Sequence, residues 1–226
     1  MSAEKPLGIL PDTHDCRIVP PFPDWWWKLA MKLRLRVTRA LVLLVALLGL
    51  FTHHVYSEDS VTDTLLGAGG LILLVIAAGG RIWAGAYVTG RKNRTLVTDG
   101  PFSLVRNPLY LFSFLGFVGA GLSFESLTLA AVFGAIFFVA HWPTIRTEER
   151  ILEGLFSQAY RRYCSRVPRF IPALRRPHAG GVLDLDTVGF VRTVVESMAI
   201  PLVFVLAELA EWAKLNDLLP VLVRLP

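Results

Sequence analysis

Two short stretches of this sequence carry residue types suited to binding a charged small molecule. The first, residues 100–112, reads GPFSLVRNPLYLF and lies between two strongly apolar segments. Asn107 followed by Pro108 predicts a helix start, because asparagine caps free N–H groups and proline at the first helical position loses no hydrogen bond. Tyr110 falls in the first turn and Arg106 just before it. A helix N-terminus beside a guanidinium is a candidate site for a carboxylate or phosphate. An arginine that contacts lipid headgroups is the alternative interpretation.

The second stretch, residues 145–172, reads IRTEERILEGLFSQAYRRYCSRVPRFIP. Its adjacent acids, Glu148 and Glu149, point about 100° apart on a helix, so they can serve two different partners. The alternative is a solvated surface lattice, in which these acids pair with the neighbouring Arg146 and Arg150.

The elements that position these stretches are predicted to be transmembrane helices. The chain has 226 residues, is 54% hydrophobic and has a mean hydropathy of +0.52. A helix of about 20 apolar residues crosses the roughly 30 Å bilayer core. Four stretches are close to this length or at the short end of the spanning range: 37–56, 65–88, 108–124 and 126–142. The first 24 residues are polar and proline-rich, with no pattern of a cleavable signal. The sequence therefore predicts a multi-pass membrane protein.

The placement of positive charge predicts the orientation of these spans. Lys and Arg flank alternate junctions, whereas the loop 52–64 has none, and this pattern rather than nucleic-acid binding accounts for the net charge of +5. By the positive-inside rule, the N-terminus and residues 89–107 and 143–180 lie in the cytosol. The third and fourth spans then form an antiparallel hairpin, and both chemistry-bearing stretches meet at one cytosolic rim. Cysteines on that side, Cys16 and Cys164, are not expected to form a structural disulfide.

Three regions are predicted along the chain. Residues 1–36 contain the interfacial stretch PPFPDWWWK, and residues 37–172 form the transmembrane core. Residues 173–226 comprise a basic linker and membrane-associated helices. In this last region, residues 187–215 are apolar but carry several charges, so they form either a kinked fifth span or a helix lying partly in the interface. The charges favour the interfacial helix. The predicted fold class is an all-α integral membrane protein, a bundle of four or five transmembrane helices with interfacial N- and C-terminal helices.

Four further polar residues lie within the apolar segments. Arg81 stands about two turns from the cytosolic end of the second span, where an ionisable residue is either functional or extends to the membrane surface. His53, His54 and His141 have no companion ligands at useful spacing, so no metal site is predicted.

A ligand with a carboxylate, an ammonium group and ribose hydroxyls would find complementary partners at the predicted rim, and S-adenosylmethionine has all three. The ordered run LVTDGPFSLVRNPLYL and RTEERILEGLFSQAYRRYCSRVPRFIP resembles the membrane methyltransferases grouped around isoprenylcysteine carboxyl methyltransferase and phosphatidylethanolamine N-methyltransferase. The resemblance covers residues 96–172. It implies a helical bundle that holds S-adenosylmethionine at the cytosolic face, with the methyl group directed toward a bilayer-accessible tunnel and a lipophilic acceptor.

The resemblance also implies site residues. The first motif is carried by Gly100, Pro101, Arg106, Pro108 and Tyr110, and the second by Arg146, Glu148 and Glu149. Arg106 and the helix start would receive the methionine carboxylate, Glu148 the ammonium or ribose, and Glu149 with Arg146 would act on the acceptor. Two positions depart from the pattern: Asn107 replaces a histidine, and Ser157 replaces a frequent glycine.

Other functions remain open alongside this hypothesis. A soluble methyltransferase is set aside, because no glycine-rich loop follows a predicted strand. A membrane reductase that binds NADPH at a similar rim is one alternative, and a non-catalytic scaffold or transporter subunit is another. The acceptor is also undetermined among a phospholipid amine, a prenylcysteine carboxylate, and a small thiol or phenol.

Overall fold

The computed structural model describes residues 40, 43–44, 47, 49–54, 61–91, 94–178, 185–220 and 223–225, with only the backbone at 52–54 and 223–225. In chain order, the elements are β1 (Thr52–His54), α1 (Val61–Val88), a 3₁₀ turn (Gly100–Ser103), α2 (Pro108–Leu122), α3 (Leu127–Arg166), α4 (Thr187–Met198), α5 (Leu202–Leu215) and β2 (Val223–Leu225). The described residues of the predicted first span are helical as far as Phe51. The predicted interfacial segment 1–36 lies outside the described residues.

The predicted class of an all-α integral membrane protein is confirmed, apart from the short parallel pairing of β1 with β2. Helices α1 and α3 are long and apolar enough to cross a membrane, as is the unit Thr187–Leu215, while α2 is a shorter apolar helix. Large apolar side chains on the outside of α1, such as Ile72 and Val75, are more than half exposed and fit a lipid-facing surface.

Helices α1 and α2 pack with their backbones in close contact at glycines. A Cβ atom on Gly119 would lie 3.0 Å from the carbonyl oxygen of Gly70, and one on Gly70 would lie 2.6 Å from the backbone nitrogen of Ser123. Since lipid tails are as apolar as leucine, close van der Waals packing of this kind holds membrane helices together. The glycines of α1 therefore form the face that packs against α2, opposite its exposed apolar face.

Helices α2 and α3 form the predicted antiparallel hairpin through the turn at residues 123–126. The Ser126 hydroxyl caps α3 by accepting a hydrogen bond from the Leu129 backbone N–H at 3.2 Å. Behind the turn, Leu74, Ala120, Leu129 and Phe133 form a buried cluster. We call this the hairpin end of the bundle and the opposite end, where α2 begins at Pro108, the motif end.

Helices α4 and α5 run beside α1 from the motif end to the hairpin end, with a break at residues 199–201. At the motif end, a Cβ on Gly85 would lie 2.5 Å from the Thr193 side chain. At the hairpin end, Lys214 Nζ donates to the Gly49 carbonyl oxygen at 3.0 Å. The structure thus favours the kinked fifth span over the interfacial helix that the charges had favoured. Two of those charges are paired locally, since Arg192 forms an ion pair with Glu196 at 2.8 Å.

Candidate functional site

Helix α3 carries the second motif well beyond the last apolar turns of the hairpin. It contains Pro143 and continues to Arg166, so the acidic pair lies at the motif end as predicted. The helix is interrupted at Ser157, whose φ of 43° and ψ of −112° are not helical. This combination is strained for a residue with a side chain and is readily adopted by glycine. It accounts for the glycine that the related pattern often has here.

The segment after α3 binds the first motif through its backbone. Arg106 N–H donates to the Pro168 carbonyl oxygen at 2.9 Å, and Ala173 N–H donates to that of Leu104 at 2.9 Å. The Tyr163 hydroxyl adds a 2.7 Å bond to the Phe102 carbonyl oxygen. The two motifs therefore fold as one unit.

Gly100 is required for this unit to close. Its φ is 58°, and a Cβ atom there would lie 2.4 Å from the Tyr87 ring. Any side chain at this position would meet both a backbone strain and a steric clash. The Gly-Pro pair thus sets the course of the loop that leads into α2.

Glu149 is the central acceptor of this motif unit. Its carboxylate is buried and receives hydrogen bonds from Asn107 Nδ2 at 2.9 Å and from Arg169 Nε at 2.9–3.0 Å. Arg169 also forms an ion pair with it at 2.8 Å, and the Arg106 guanidinium lies 3.9 Å away. The hydrogen bond with Glu149 raises the pKa of Arg169 above its ordinary value. A buried carboxylate requires such partners, because removing an ion from water is costly.

Asn107 does not cap α2, and this corrects the prediction made from the Asn-Pro pair. The helix does begin at Pro108, but the Asn107 side chain makes no capping hydrogen bond. Its amide instead donates to Glu149 and, at 3.3 Å, to the Arg169 carbonyl oxygen. The contact with the buried carboxylate uses the amide nitrogen as a donor, whereas a cap would have used the amide oxygen as an acceptor. An uncharged N–H donor meets this need, so no titrating histidine is required for this contact.

A cleft of about 130 Å³, partly open to solvent, lies beside this unit at the motif end. Its polar and aromatic lining consists of Arg91, Thr95, Phe102, Arg106, Asn107, Tyr110, Glu148, Tyr160 and Tyr163, and its apolar lining of Val88, Leu96, Val97, Pro108, Leu109, Ile151 and Leu152. Charged groups and aromatic rings are thus presented to the same space.

The predicted site residues divide between the cleft and its surroundings. Those that line it are Arg106, Asn107, Pro108, Tyr110 and Glu148. Gly100 and Pro101 are buried but do not line it. Arg146 is exposed, with its guanidinium 5.9 Å from the Trp142 ring centre, and it does not line the cleft either. Glu148 lines the cleft while Glu149 contacts Asn107 and Arg169, so the two adjacent acids face different surroundings. That they serve two partners of a bound ligand stays a prediction.

Sequence reasoning missed Arg169 as a partner of Glu149. The residue lies within the Val-Pro-Arg-Phe-Ile-Pro run, and nothing in this local pattern pairs its arginine with an acid 20 residues earlier. A buried acid predicts a nearby cation, but this rule does not say which Lys or Arg of the chain is that cation. Elsewhere in the described residues, no group of three or more His, Cys, Asp or Glu side chains is placed to hold a metal ion.

With this geometry in view, the chain belongs to the phospholipid methyltransferase family, whose sequence profile matches residues 40–159. That match covers more than half of the chain, and it includes both acids and the whole first motif. The resemblance to membrane methyltransferases is thereby confirmed. No solved structure matches the chain significantly.

Three curated relatives extend this result. The chain is 36% identical over 165 residues to the cobalt-zinc-cadmium resistance protein CzcN of Cupriavidus metallidurans, covering 73% of this chain and 76% of that one. It is 32% identical over 185 residues to the nickel-cobalt-cadmium resistance protein NccN of Alcaligenes xylosoxydans xylosoxydans, covering 82% and 86%. A shorter match, 30% over 83 residues, is to protein-S-isoprenylcysteine O-methyltransferase of Schizosaccharomyces pombe, covering 37% of this chain and 35% of that one.

Proposed function

We propose that this protein is an S-adenosylmethionine-dependent methyltransferase that acts on a lipophilic acceptor at the cytosolic face of the membrane. The observation that carries the proposal is the cleft at the motif end, where the start of α2, Arg106 and Glu148 face one space together with several aromatic rings. Membership of a methyltransferase family supports the reaction type. The distribution of Lys and Arg supports the cytosolic orientation.

The chemistry of the lining fits the three parts of the methyl donor. Arg106 and the N–H groups at the start of α2 supply positive charge and donors for the carboxylate. Glu148 supplies an acceptor for the ammonium group or the ribose hydroxyls. Rings such as Phe102, Tyr160 and Tyr163, together with the apolar lining, offer a slot for the adenine.

The work of these residues is mainly to position the reactants. When bound, the donor would supply an activated methyl group: the acceptor's nucleophile would attack the methyl carbon, and the thioether S-adenosylhomocysteine would leave with the electron pair of the broken carbon–sulfur bond. Direct displacement requires the reacting atoms to lie about 3–3.5 Å apart and in line, and binding both partners in one cleft provides much of the rate gain. The apolar lining, including Leu109 and Ile151, would give the reacting groups a less polar surrounding than bulk water.

We assign Glu149 a positioning role within this proposal. Its carboxylate is already held by Asn107, Arg169 and Arg106, and it does not line the cleft. It fixes Arg106 and the start of α2 relative to α3, and thereby the distance across the donor site. The role of Arg146 at the acceptor stays a prediction, since its exposed guanidinium lies beside Trp142.

Ligand binding tests the proposal directly. The full chain, purified in detergent, should bind S-adenosylhomocysteine by calorimetry and be stabilised by it in a melting assay, whereas NADPH should have no effect. A Glu148→Gln variant should lose this stabilisation. The matched control is Glu153→Gln, because Glu153 is an exposed residue of the same helix that pairs with Arg161 at 3.7 Å. Stabilisation by NADPH would favour the reductase, and binding of neither ligand would favour the scaffold or transporter.

A second experiment identifies the product. Cells with and without the protein, fed methyl-labelled methionine, should differ in one or more labelled lipids by mass spectrometry. The label should be absent when the cells carry Glu148→Gln. Identical labelling in all three cultures would contradict methyl transfer to a lipid.

A further inference from the structure

We propose that residues 169–176 lie in the interface of the bilayer, where Ile171 and Leu174 insert among the lipid chains and neighbouring arginines bind anionic headgroups. We call residues 169–176 the interfacial strap. The partner of this surface is a membrane that contains anionic lipid. The inference concerns how the protein meets the bilayer, and it does not depend on the proposed function.

The first support is that the strap follows a fixed course at the motif end. The Ala173 backbone N–H donates to the Leu104 carbonyl oxygen at 2.9 Å, and the Arg175 side chain donates to a carbonyl oxygen of the 3₁₀ turn. With these contacts in place, Ile171 is 80% exposed and Leu174 is fully exposed. The fold thus holds two large apolar side chains outward, and only an apolar partner would remove them from water.

The second support is the depth of the strap. The Phe170 ring packs edge-on against Phe114 of α2, with ring centres 5.8 Å apart, and against Phe138 of α3 at 5.7 Å. Phe114 lies six residues, or about 9 Å, beyond the start of α2 at Pro108. The strap therefore reaches the level of the apolar helices, and the exposed Ile171 is the next residue along it.

The third support is the surface of α3 beside the strap. Val139 is 74% exposed and directly follows Phe138, which contacts the strap. Trp142 lies one turn closer to the motif end and stacks on Phe138, with ring centres 5.0 Å apart. Tryptophan prefers the depth of the lipid headgroups. An exposed apolar residue followed by such a tryptophan marks the edge of the bilayer on α3, and the strap lies beside that edge.

The fourth support is the charge of this region. Residues 154–183 contain six arginines and no acidic residue. Near the start of the strap, the guanidinium groups of Arg169 and the exposed Arg146 lie 5.6 Å and 5.9 Å from the Trp142 ring centre. Arg176, at the other end, is also exposed. Clustered arginines next to apolar side chains favour an anionic membrane surface. A soluble acidic partner would complement the charge, but it would not account for the depth of Phe170.

Spin labelling of the full chain in lipid nanodiscs tests whether the strap contacts lipid. The nitroxide is attached to Ile171→Cys or Leu174→Cys, with both native cysteines replaced by serine. Val139→Cys is the reference for lipid, and Ser165→Cys, exposed in the last turns of α3, is the reference for water. We expect labels on the strap to collide more often with oxygen than with a water-soluble nickel complex, as at Val139, and the label at Ser165 to show the reverse.

Two outcomes of this experiment would overturn the inference. Labels on the strap that behave like the label at Ser165 would show that the strap faces water. Labels that are protected from both reagents would show that protein covers the strap, either residues 1–39 of the same chain or a second copy.

Native mass spectrometry with equimolar phosphatidylglycerol and phosphatidylcholine tests the headgroup preference. The wild type should retain phosphatidylglycerol preferentially. Arg146→Gln combined with Arg176→Gln should reduce this preference about fivefold or more, as expected for arginines at an anionic surface. The matched control, Arg161→Gln combined with Arg162→Gln, removes the same charge from exposed positions of α3 and should have a smaller effect. No preference in the wild type, or equal reductions in the two double variants, would overturn the assignment of anionic lipid to the strap.

Discussion

The Asn107 amide donates a 2.9 Å hydrogen bond to Glu149 Oε1, joining the first residue before α2 to the middle of α3. This hydrogen bond joins the two sequence motifs. Arg169, in the segment after α3, donates to the same carboxylate. Part of the motif pattern therefore serves folding. Glu149 holds the two motifs together, and Glu148 lines the cleft beside them.

Replacing Asn107 tests whether a neutral donor is what Glu149 needs. Asn107→Ala should lower stability by about 1–3 kcal/mol, because it leaves a buried carboxylate with one donor fewer. Asn107→His should retain most of the stability, since an imidazole N–H can donate in the same place. Asn107→Asp should be the least stable of the three, because it places a second carboxylate beside the first. Melting temperatures in detergent give the order, and a histidine variant as unstable as the alanine variant would contradict it.

The two adjacent acids should respond differently to the same substitution. Glu148→Gln is expected to reduce affinity for S-adenosylhomocysteine by about tenfold or more, consistent with loss of a charged hydrogen-bond partner, while leaving the melting temperature near that of the wild type. Glu149→Gln should lower the melting temperature by several degrees, because it breaks a buried ion pair with Arg169. Calorimetry and melting curves on both variants measure the two effects. Equal behaviour of the variants would remove the distinction between a cleft-facing and a positioning acid.

Ser157 should tolerate glycine better than serine. Its positive φ of 43° costs about 1–3 kcal/mol for a residue with a side chain, and Ser157 is exposed, so little packing is lost on substitution. Ser157→Gly is expected to raise the melting temperature by a few degrees. Ser165→Gly is the matched control, since Ser165 is exposed in the last turns of the same helix and glycine there should be neutral or destabilising. A stabilising effect at Ser165 but not at Ser157 would refute the strain.

Glu125 should make stability depend on pH. It lies in the turn between α2 and α3, and burial, followed by the charges of Glu211 and Asp63, raises its pKa from 4.5 to about 9. The folded protein thus holds a proton that the unfolded chain releases above about pH 4.5. The contribution of Glu125 to the free energy of unfolding is therefore fully present below that pH and is lost as pH rises toward 9. The melting temperature should fall over that range. Glu125→Gln, which imitates the protonated form, should flatten the dependence and be the more stable protein at pH 9, whereas an unchanged slope would rule out Glu125 as the titrating group.

The sequence was sufficient for the parts of the fold that depend on local pattern. The Asn-Pro pair predicted the start of α2, and the apolar stretches predicted α1, α2 and the first half of α3, because length and hydropathy dominate in a bilayer. The antiparallel hairpin then required Arg106 and Glu148 to lie at the same end, and the cleft contains both.

The remaining features depend on contacts between distant positions. Asparagine is a residue type that commonly caps helices, but the Asn107 amide donates to Glu149, and no local sequence rule predicts that contact. Arg169 lies 20 residues from Glu149, and its pairing depends on how the segment after α3 folds back. The charges of α4 and α5 suggested an interfacial helix, yet Arg192 pairs within its own helix and Lys214 reaches Gly49. Each of these contacts is decided by the residues that the fold brings nearby, and not by the type of the residue alone.

The parallel pairing of Thr52–His54 with Val223–Leu225 has a consequence for experiments on sidedness. Gly49, just before the first strand, adjoins Phe124 in the hairpin turn, so this small sheet and Glu148 face opposite compartments. A reporter enzyme joined behind Leu225 would therefore report on the compartment opposite to the one that the cleft faces. One such fusion would fix the absolute topology without changing any residue that lines the cleft.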